Sequence, residues 1–481
     1  MTISLGNRAK MSTSTTGTGT ITLGSAVSGF QTFADAGITN GQTVRYAIDD
    51  GANFEIGSGT YTSSGTTLTR SVTESSNSDS AISLSGNAEV FIAATVADLN
   101  PLYAANPSSA TNPTASGNNA VAVGNNSTAS GSNSFAFGTL SVASGDTTFA
   151  AGYDAVSSGG QSFAFGDNVN ATGNFSFCVG GGDATSSGIG SIAMGYAAVA
   201  SNTNAVAIGR NTDATHSGSA AIGYDAQAAA NQAIALGDSR AAGADSFAAA
   251  IANNTSSYGA TGANSVALGS GLAKATGARS IAIANNAAAS GADSVAIGRS
   301  AESSASAAFT FGYHCVASAA NTIATGLQSV SAIIGKSAYA SGSFAGTNNG
   351  DAQGGQYILR SDTTDATAEA MTTNNSTAAA TNQIVAASDT CITFHGTITA
   401  MQNGAQAYGG WEIKGMLVND GGTTTLALGN VSDMAANNAS SWAVALSADD
   451  TNNALKIQVT GEAAHNIRWV ANVQTAEVTY A

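Results

Sequence analysis

From Asn119 onward one phrase returns every fourteen residues: "NAVAVG" ends at Gly124 and "NSFAFG" at Gly138, across a spacer that closes in Ala-Ser-Gly. The closing glycine recurs at Gly152, Gly166 and Gly180, shifts by one residue to Gly195, and continues at Gly209, Gly223 and Gly237. The register loosens around "SFAAAIANNTSSYGATGA", resumes at Gly269, passes through Ala284 and ends through Gly298, Gly312 and Gly326. A short period containing two glycine-marked turns leaves room for two brief strands per unit. That is one rung of a β-solenoid, repeated roughly fifteen times.

Within each phrase the apolar residues alternate. Val121 and Val123, Phe135 and Phe137, Phe163 and Phe165, Val206 and Ile208, and Val295 and Ile297 hold the third and fifth positions, with alanine between them. Residues two apart on a strand share a face, so one face is bulky and the other carries Ser and Ala. The expected arrangement turns the bulky pairs inward as the shaft core and leaves the Ser/Ala face smooth enough for another copy to approach. Gly124, Gly138, Gly152, Gly166, Gly209 and Gly298 are the expected turn glycines, since glycine adopts positive φ at little steric cost. At ~4.8 Å per rung, fifteen rungs make a rod of about 70 Å. One bulky pair per rung fills a core thinly, so an oligomer is expected.

Composition fits this picture. Only 9% of the 481 residues are charged, 57 are glycine and 3 are proline, against roughly a quarter charged in ordinary domains. A formal charge of −16 with 14 basic residues excludes a nucleic-acid partner, which needs clustered Lys and Arg. Cys178, Cys315 and Cys391 are far apart and read as reduced, small apolar residues. The opening "MTISLGNRAKMSTSTT" lacks a signal-peptide apolar region. No stretch reaches the ~18 apolar residues of a membrane span. Synthesis in a cytoplasm without membrane insertion is expected.

All three prolines, Pro101, Pro107 and Pro113, follow asparagine, a turn signal that bars helix and central strand. The expected division is an N-terminal β domain at 1–99, an Asn-Pro linker at 100–116, the repeat shaft at 117–340, a Gly/Asn-rich linker at 341–356, and a C-terminal antiparallel β-sandwich at 357–481. The first domain rests on short Thr/Val/Ile runs such as "TVRYAI" and "EVFIAATV". The last rests on in-phase alternation in "WEIKGMLV", "SWAVALSA" and "NIRWVANVQ", which hold all three tryptophans.

The "NSVAIG"-like phrases with "ASG"-closed spacers resemble the head repeats of trimeric autotransporter adhesins and haemagglutinins (YadA-like). The resemblance runs from Asn119 to about Gly326 and implies a left-handed parallel β-roll in a homotrimer. The flanks differ from that family, with no coiled-coil stalk and no membrane-barrel anchor. Instead "TSTTGTGTITLGSAVSGFQTFADAGITNGQTVRYAIDDG" and "NIRWVANVQTAEVTY" resemble the ends of fibre-type virion proteins of tailed bacteriophages. That second resemblance implies an N-terminal domain bound to other virion proteins of the tail or neck, and a C-terminal domain that meets a host surface receptor, with glycan among its candidate chemistries.

Catalytic patterns are sparse. Glycoside hydrolysis uses two carboxylates roughly 5–9.5 Å apart, yet Asp154, Asp167, Asp183, Asp213, Asp225, Asp238, Asp245 and Asp293 fall at differing repeat positions. His216, His314, His395 and His465 share no ligand spacing, and "IGKSA" around Lys336 lacks the upstream glycine of a phosphate-binding loop. Asp49-Asp50-Gly51 and Asp449-Asp450 offer oxygen ligands for a cation, but Asp and Gly are also default turn residues. Trp411, Trp442 and Trp469 read as core, and Tyr408 as exposed. No regular Thr-x-Thr column of the ice-binding kind runs along the shaft. The sequence therefore predicts an all-β, homotrimeric, non-enzymatic bacteriophage tail fibre located in the virion, with no cofactor and no metal. A head- or neck-attached fibre, a polysaccharide-depolymerising tailspike and a cellular trimeric adhesin are the alternatives.

Overall fold

The computed structural model describes residues 3–96, 98, 111–249, 258–269, 272–344, 346, 348–404 and 406–480. Among them every regular element is a strand. The chain divides into two units, Met1–Thr111 and Asn112–Ala481. Pro101 and Pro107, which motivated the first boundary, lie outside the described residues.

The first unit is a small antiparallel barrel. Thr43–Asp50 pairs on one side with Ala88–Ile92 and on the other with Asn53–Thr62, and the path through Lys10–Thr13, Ile21–Ala26 and Thr67–Leu68 returns to Asn53–Thr62. Met11, Ile21, Phe33, Tyr46, Ile48 and Leu68 fill its interior. One ion pair is buried with them. The Arg70 Nε donates to Glu55 Oε1 at 2.8 Å, the Tyr46 hydroxyl to the same oxygen at 2.8 Å, and the Ile82 N–H to Oε2 at 2.9 Å. Burial opposes ionisation of Glu55, but the Arg70 guanidinium and these donors outweigh it and hold the carboxyl below its usual range.

The second unit begins with the solenoid. Two parallel sheets run along it: a 16-stranded sheet of two-residue strands from Thr114–Ala115 to Val330–Ser331, and the strands from Val121–Val123 to Ser337–Ser341. Equivalent positions stack in register, as Phe135 on Phe149 on Phe163 on Phe177. The first strand starts at Thr114, slightly before the expected shaft boundary.

The side-chain facing is the reverse of the expectation. The alanines between the bulky residues point into the rung: Ala136, Ala150, Ala164, Ala193, Ala207, Ala221 and Ala235 are all fully buried. Serines and alanines of the second sheet, such as Ala143, Ser157, Ala171 and Ala200, meet them. The expected shaft-core pairs point out of the rung instead. Val121, Phe135 and Phe165 are exposed, and Val123, Phe137, Phe163, Val206, Ile208, Val295 and Ile297 are half-buried. Volume explains the reversal. Alternation groups residues by face without saying which face is inside, and a rung of two short strands encloses space only for small side chains.

The repeated phrase gives each position its own backbone or packing role. Its first position takes left-handed backbone, at φ 55° for Asn133 and Asn204 and 57° for Asp293, where Asn and Asp are tolerated best. Where its second position is serine the side chain is buried, and in several rungs its hydroxyl satisfies the preceding turn: Ser134 donates to the Gly131 carbonyl at 2.6 Å, and Ser162 to Gly159, Ser191 to Gly188 and Ser294 to Gly291 at 2.7 Å. The expected turn glycines all take positive φ, 117° at Gly124 and Gly138, 136° at Gly152, 141° at Gly166, 131° at Gly209 and 126° at Gly298, but Gly138, Gly152 and Gly166 do so inside paired strands and not in turns. A Cβ at Gly209 would also overlap the Gly223 carbonyl of the next rung. Cys178 occupies an alanine slot, in register between Ala164 and Ala193, and burial pushes its thiol up to about 11.

The Gly/Asn-rich stretch expected as a linker joins parts of one unit. Ser337–Ser341, the last solenoid strand, pairs antiparallel with Ala352–Thr363, so the sheet continues into the C-terminal domain. This gives the shaft's terminal edge a backbone partner, and an open edge would otherwise invite self-pairing. Inside the junction the Lys336 ammonium meets the Glu477 carboxylate at 2.6 Å, and Gln353 and Tyr357 also donate to that carboxylate. Burial disfavours the charge on Glu477, yet Lys336 and these bonds hold its carboxyl below the usual range.

Beyond the junction lies the antiparallel sandwich. Ala352–Thr363, Ile467–Thr479, Thr390–Gln402, Tyr408–Asp420 and Thr423–Asn437 form one sheet, and Ala368–Ala370, Ala454–Thr460, Ile384–Val385 and Ala443–Asp449 the other. Trp411, Trp442 and Trp469 pack between them, with ring centroids 5.3 and 5.6 Å apart.

Candidate functional site: the outward face of the solenoid

Each solenoid sheet presents one face to the outside, and the two differ. On the sheet of two-residue strands the outward column runs Asn170, Thr185, Val199, Asp213, Gln227 and Arg240, with Lys274 and Glu302 further along. It is mixed and charged. The other sheet presents two columns of Phe, Ile, Val, Leu and Met from Val121 and Val123 to Phe309 and Phe311. Few small residues interrupt them, Ala151 and Ala220 among them.

These columns are ordered. The rings of Phe149 and Phe163 stack with centroids 4.8 Å apart and planes 7° apart, and those of Phe163 and Phe177 at 5.0 Å and 10°. Parallel in-register strands impose this stacking, because identical positions repeat at the strand spacing. Exposure persists nonetheless, reaching 53% at Phe165 and 56% at Phe311. Two columns about 10 Å wide over about 70 Å make a planar strip on the order of 700 Å². The largest apolar patch of a typical monomer covers roughly 300–600 Å².

Beside this strip, at the position after the closing glycine, Tyr153, Asp167, Tyr196, Arg210, Tyr224, Asp238, Arg299 and Tyr313 form much of a third column. The Arg210 guanidinium lies 5.8 Å from the Tyr196 ring centroid and 5.7 Å from that of Tyr224, and Arg299 lies 5.3 Å from Tyr313. Sequence reading missed this edge, although the spacing of Tyr196, Arg210 and Tyr224 carries it.

The residues weighed for chemistry are not brought together. Asp154, Asp183, Asp225, Asp245 and Asp293 all sit at left-handed turn positions, which explains their presence without a reaction. Asp293 pairs with the Arg279 guanidinium at 2.5 and 2.7 Å. Burial and the nearby Asp225 raise the Asp213 carboxyl. Asp50 accepts from the Ser85 backbone N–H at 2.7 Å, Asp449 from Asn452, and Asp450 from the Thr424 N–H at 2.7 Å, so each fastens a turn or loop. His395 contacts Glu412 at 3.1 Å and His465 contacts Glu462 at 3.2 Å, on separate surfaces. Among the described residues no three His, Cys, Asp or Glu groups are placed to hold a metal ion.

Comparison with known proteins bears on the same segment. The YadA head domain repeat family matches residues 115–141, 143–168, 186–212, 217–239, 260–283, 275–301 and 289–308. These stretches all lie within the solenoid, the last ending at 308 while its strands run on to Ser341, and none falls in either terminal domain. Among solved structures, a tailspike protein of Acinetobacter baumannii bacteriophage Fri1, a capsular polysaccharide depolymerase, aligns over 79% of this chain and 74% of its own at 10% identity, with a TM-score of 0.20. No curated protein matches. The shaft is thus similar to YadA-like head repeats.

Proposed function

We propose that the chain is one of three in an adhesive fibre, with the apolar strip of each solenoid buried against its two neighbours. The observation that carries this reading is the strip itself: an in-register run of Phe, Ile, Val and Met that no other described part of its unit covers. A three-fold arrangement lets each chain bury its strip around one axis while the mixed, charged outward column of the other sheet stays in water. The similarity to YadA-like head repeats supports the same arrangement.

The work of such a protein is mechanical and adhesive. The solenoid sets reach and stiffness, since every rung is hydrogen-bonded to the next and filled with alanine. Its ends carry the specific contacts: the N-terminal barrel to the structure that bears the fibre, the C-terminal sandwich to a surface receptor. A bacteriophage tail is the setting we favour, on the likeness of the terminal sequences to phage fibre proteins. Catalysis has no part in this reading.

Replacing Val206 and Ile208 together with Asp tests it. Both residues are outward, so the rung interior is untouched, but in a trimer six carboxylates would be desolvated, each costing several kcal/mol. The expected result is loss of assembly with strand content retained. A variant whose particle mass and heat resistance equal those of the native protein would overturn the proposal.

A further inference from the structure

Six residues along the strand from Gln356, which pairs with the last solenoid strand, Asp362 stands about 20 Å further from the junction at ~3.3 Å per residue. It begins a row across the outer face of the five-stranded sheet. Asp362 lies opposite Arg468, Arg468 opposite Met401, Met401 opposite Tyr408, and Tyr408 opposite Asn437. All five side chains point away from the tryptophan core. At this end of the sheet a cavity of about 460 Å³ opens, lined by Asp362, Met401, Gln402, Asn403, Asn466 and Arg468 among others. We propose that this cavity binds a neutral, polyhydroxylated ligand, a glycan unit of the surface to which the fibre attaches.

The lining chemistry selects that class. Three amides, one carboxylate and one guanidinium supply donors and acceptors together, and a sugar hydroxyl needs both. Asp362 and Arg468 approach only to 3.7 Å, beyond ordinary hydrogen-bond length, so neither has its capacity taken up by the other. Their charges cancel, and a net charge of −16 on the whole chain disfavours an anionic ligand. Met401 and Tyr408, 62% and 49% exposed, lie side by side in the row and offer apolar surface to the C–H face of a ring. The volume suits a small ligand.

The site is also held in place. The Asn403 N–H donates to the Asn466 carbonyl at 2.9 Å, tying together the loops that carry these two amides, and the Gln402 N–H donates to the Ala407 carbonyl at 3.1 Å. Asp362, Met401, Gln402 and Arg468 stand on strands. The lining contains a single carboxylate, whereas hydrolysis by the two-carboxylate route needs a second within roughly 5–9.5 Å. The geometry therefore points to binding without cleavage. Such exposed contacts give weak affinity per site, and three copies in a fibre would raise it by avidity.

This inference takes from the attachment reading only the source of the ligand. The cavity lies within one chain, so its failure and that of the trimer are separable. Saturation-transfer NMR on the full-length protein, with glucose, galactose, mannose and N-acetylglucosamine at up to about 10 mM, registers affinity in the ~mM range. Transfer to at least one of them is expected. It should fall at least fivefold in Asp362→Asn and in Asn403→Ala, and stay unchanged in Glu369→Gln, which lies in a different cavity. Circular dichroism confirms folding, and Asp362→Asn preserves shape. No transfer from any neutral sugar overturns the proposal. So does transfer unaffected by Asp362→Asn and Asn403→Ala, or transfer confined to N-acetylneuraminic acid.

Discussion

Replacing Ala207 with Leu tests the side-chain facing on which the fibre reading depends. Ala207 is fully buried, stacked in register between Ala193 and Ala221, and belongs to one interior cluster with Ala200 and Ala214 of the opposite sheet. If there were room, the added carbons would stabilise by about 0.8 kcal/mol per CH₂. There is no room, because the short turns that join the two strands of each rung hold the sheets close together. Overpacking a close-packed core costs about 1–3 kcal/mol, and a site built around methyl groups belongs at the upper end. Each rung touches only its neighbours, so the effect should be local. Hydrogen exchange read by mass spectrometry should show strands Ile192–Tyr196, Val206–Ile208 and Ala220–Ile222 losing protection roughly 30- to 150-fold, the equivalent of about 2–3 kcal/mol. Strands near Phe149 should keep theirs. Unchanged protection around Ala207 would mean that the rung interior admits large side chains, and the facing described here would be wrong.

Two further predictions concern the buried ion pairs. Lys336→Ala leaves Glu477 ionised and without its cation, which should cost about 3–5 kcal/mol, read as a lower urea midpoint by tryptophan fluorescence, since all three tryptophans lie in the C-terminal core. The Glu477 carboxyl titrates below its unfolded value of about 4.3. Its contribution is therefore present above that pH and lost as pH falls through the folded value. Acid should weaken this domain in the native protein, and Glu477→Gln should flatten that part of the profile. In the N-terminal barrel Arg70→Ala should cost about 3–5 kcal/mol by the same argument. The double replacement Arg70→Met with Glu55→Leu should recover part of it, as judged by hydrogen exchange in Asn53–Thr62.

The repeat was legible because its physics is local. Left-handed turns favour Gly, Asn or Asp, and alternation favours a strand, so period, strands and the positive-φ glycines could be read from "NAVAVGNNSTASG" and its repetition. Which face is inside was not legible, because it depends on the space between two sheets, and alternation carries no volume. Size offered the missing clue, since alanine beside Phe or Ile more readily fills the narrower side. The tryptophans of the sandwich read correctly as core because their strands have conventional polar outer faces. The Arg70–Glu55 and Lys336–Glu477 pairs were out of reach, their partners being 15 and 141 residues apart. The cavity at Asp362 was hidden for the same reason: its lining comes from three separate stretches of chain.

The central claim is that the apolar strip is an interface between copies. Sedimentation equilibrium or multi-angle light scattering in mild buffer measures it directly. A particle of three times the 46.9 kDa chain mass, persisting on dilution, is expected. A stable monomer at the chain mass, its strip open to water, would contradict it.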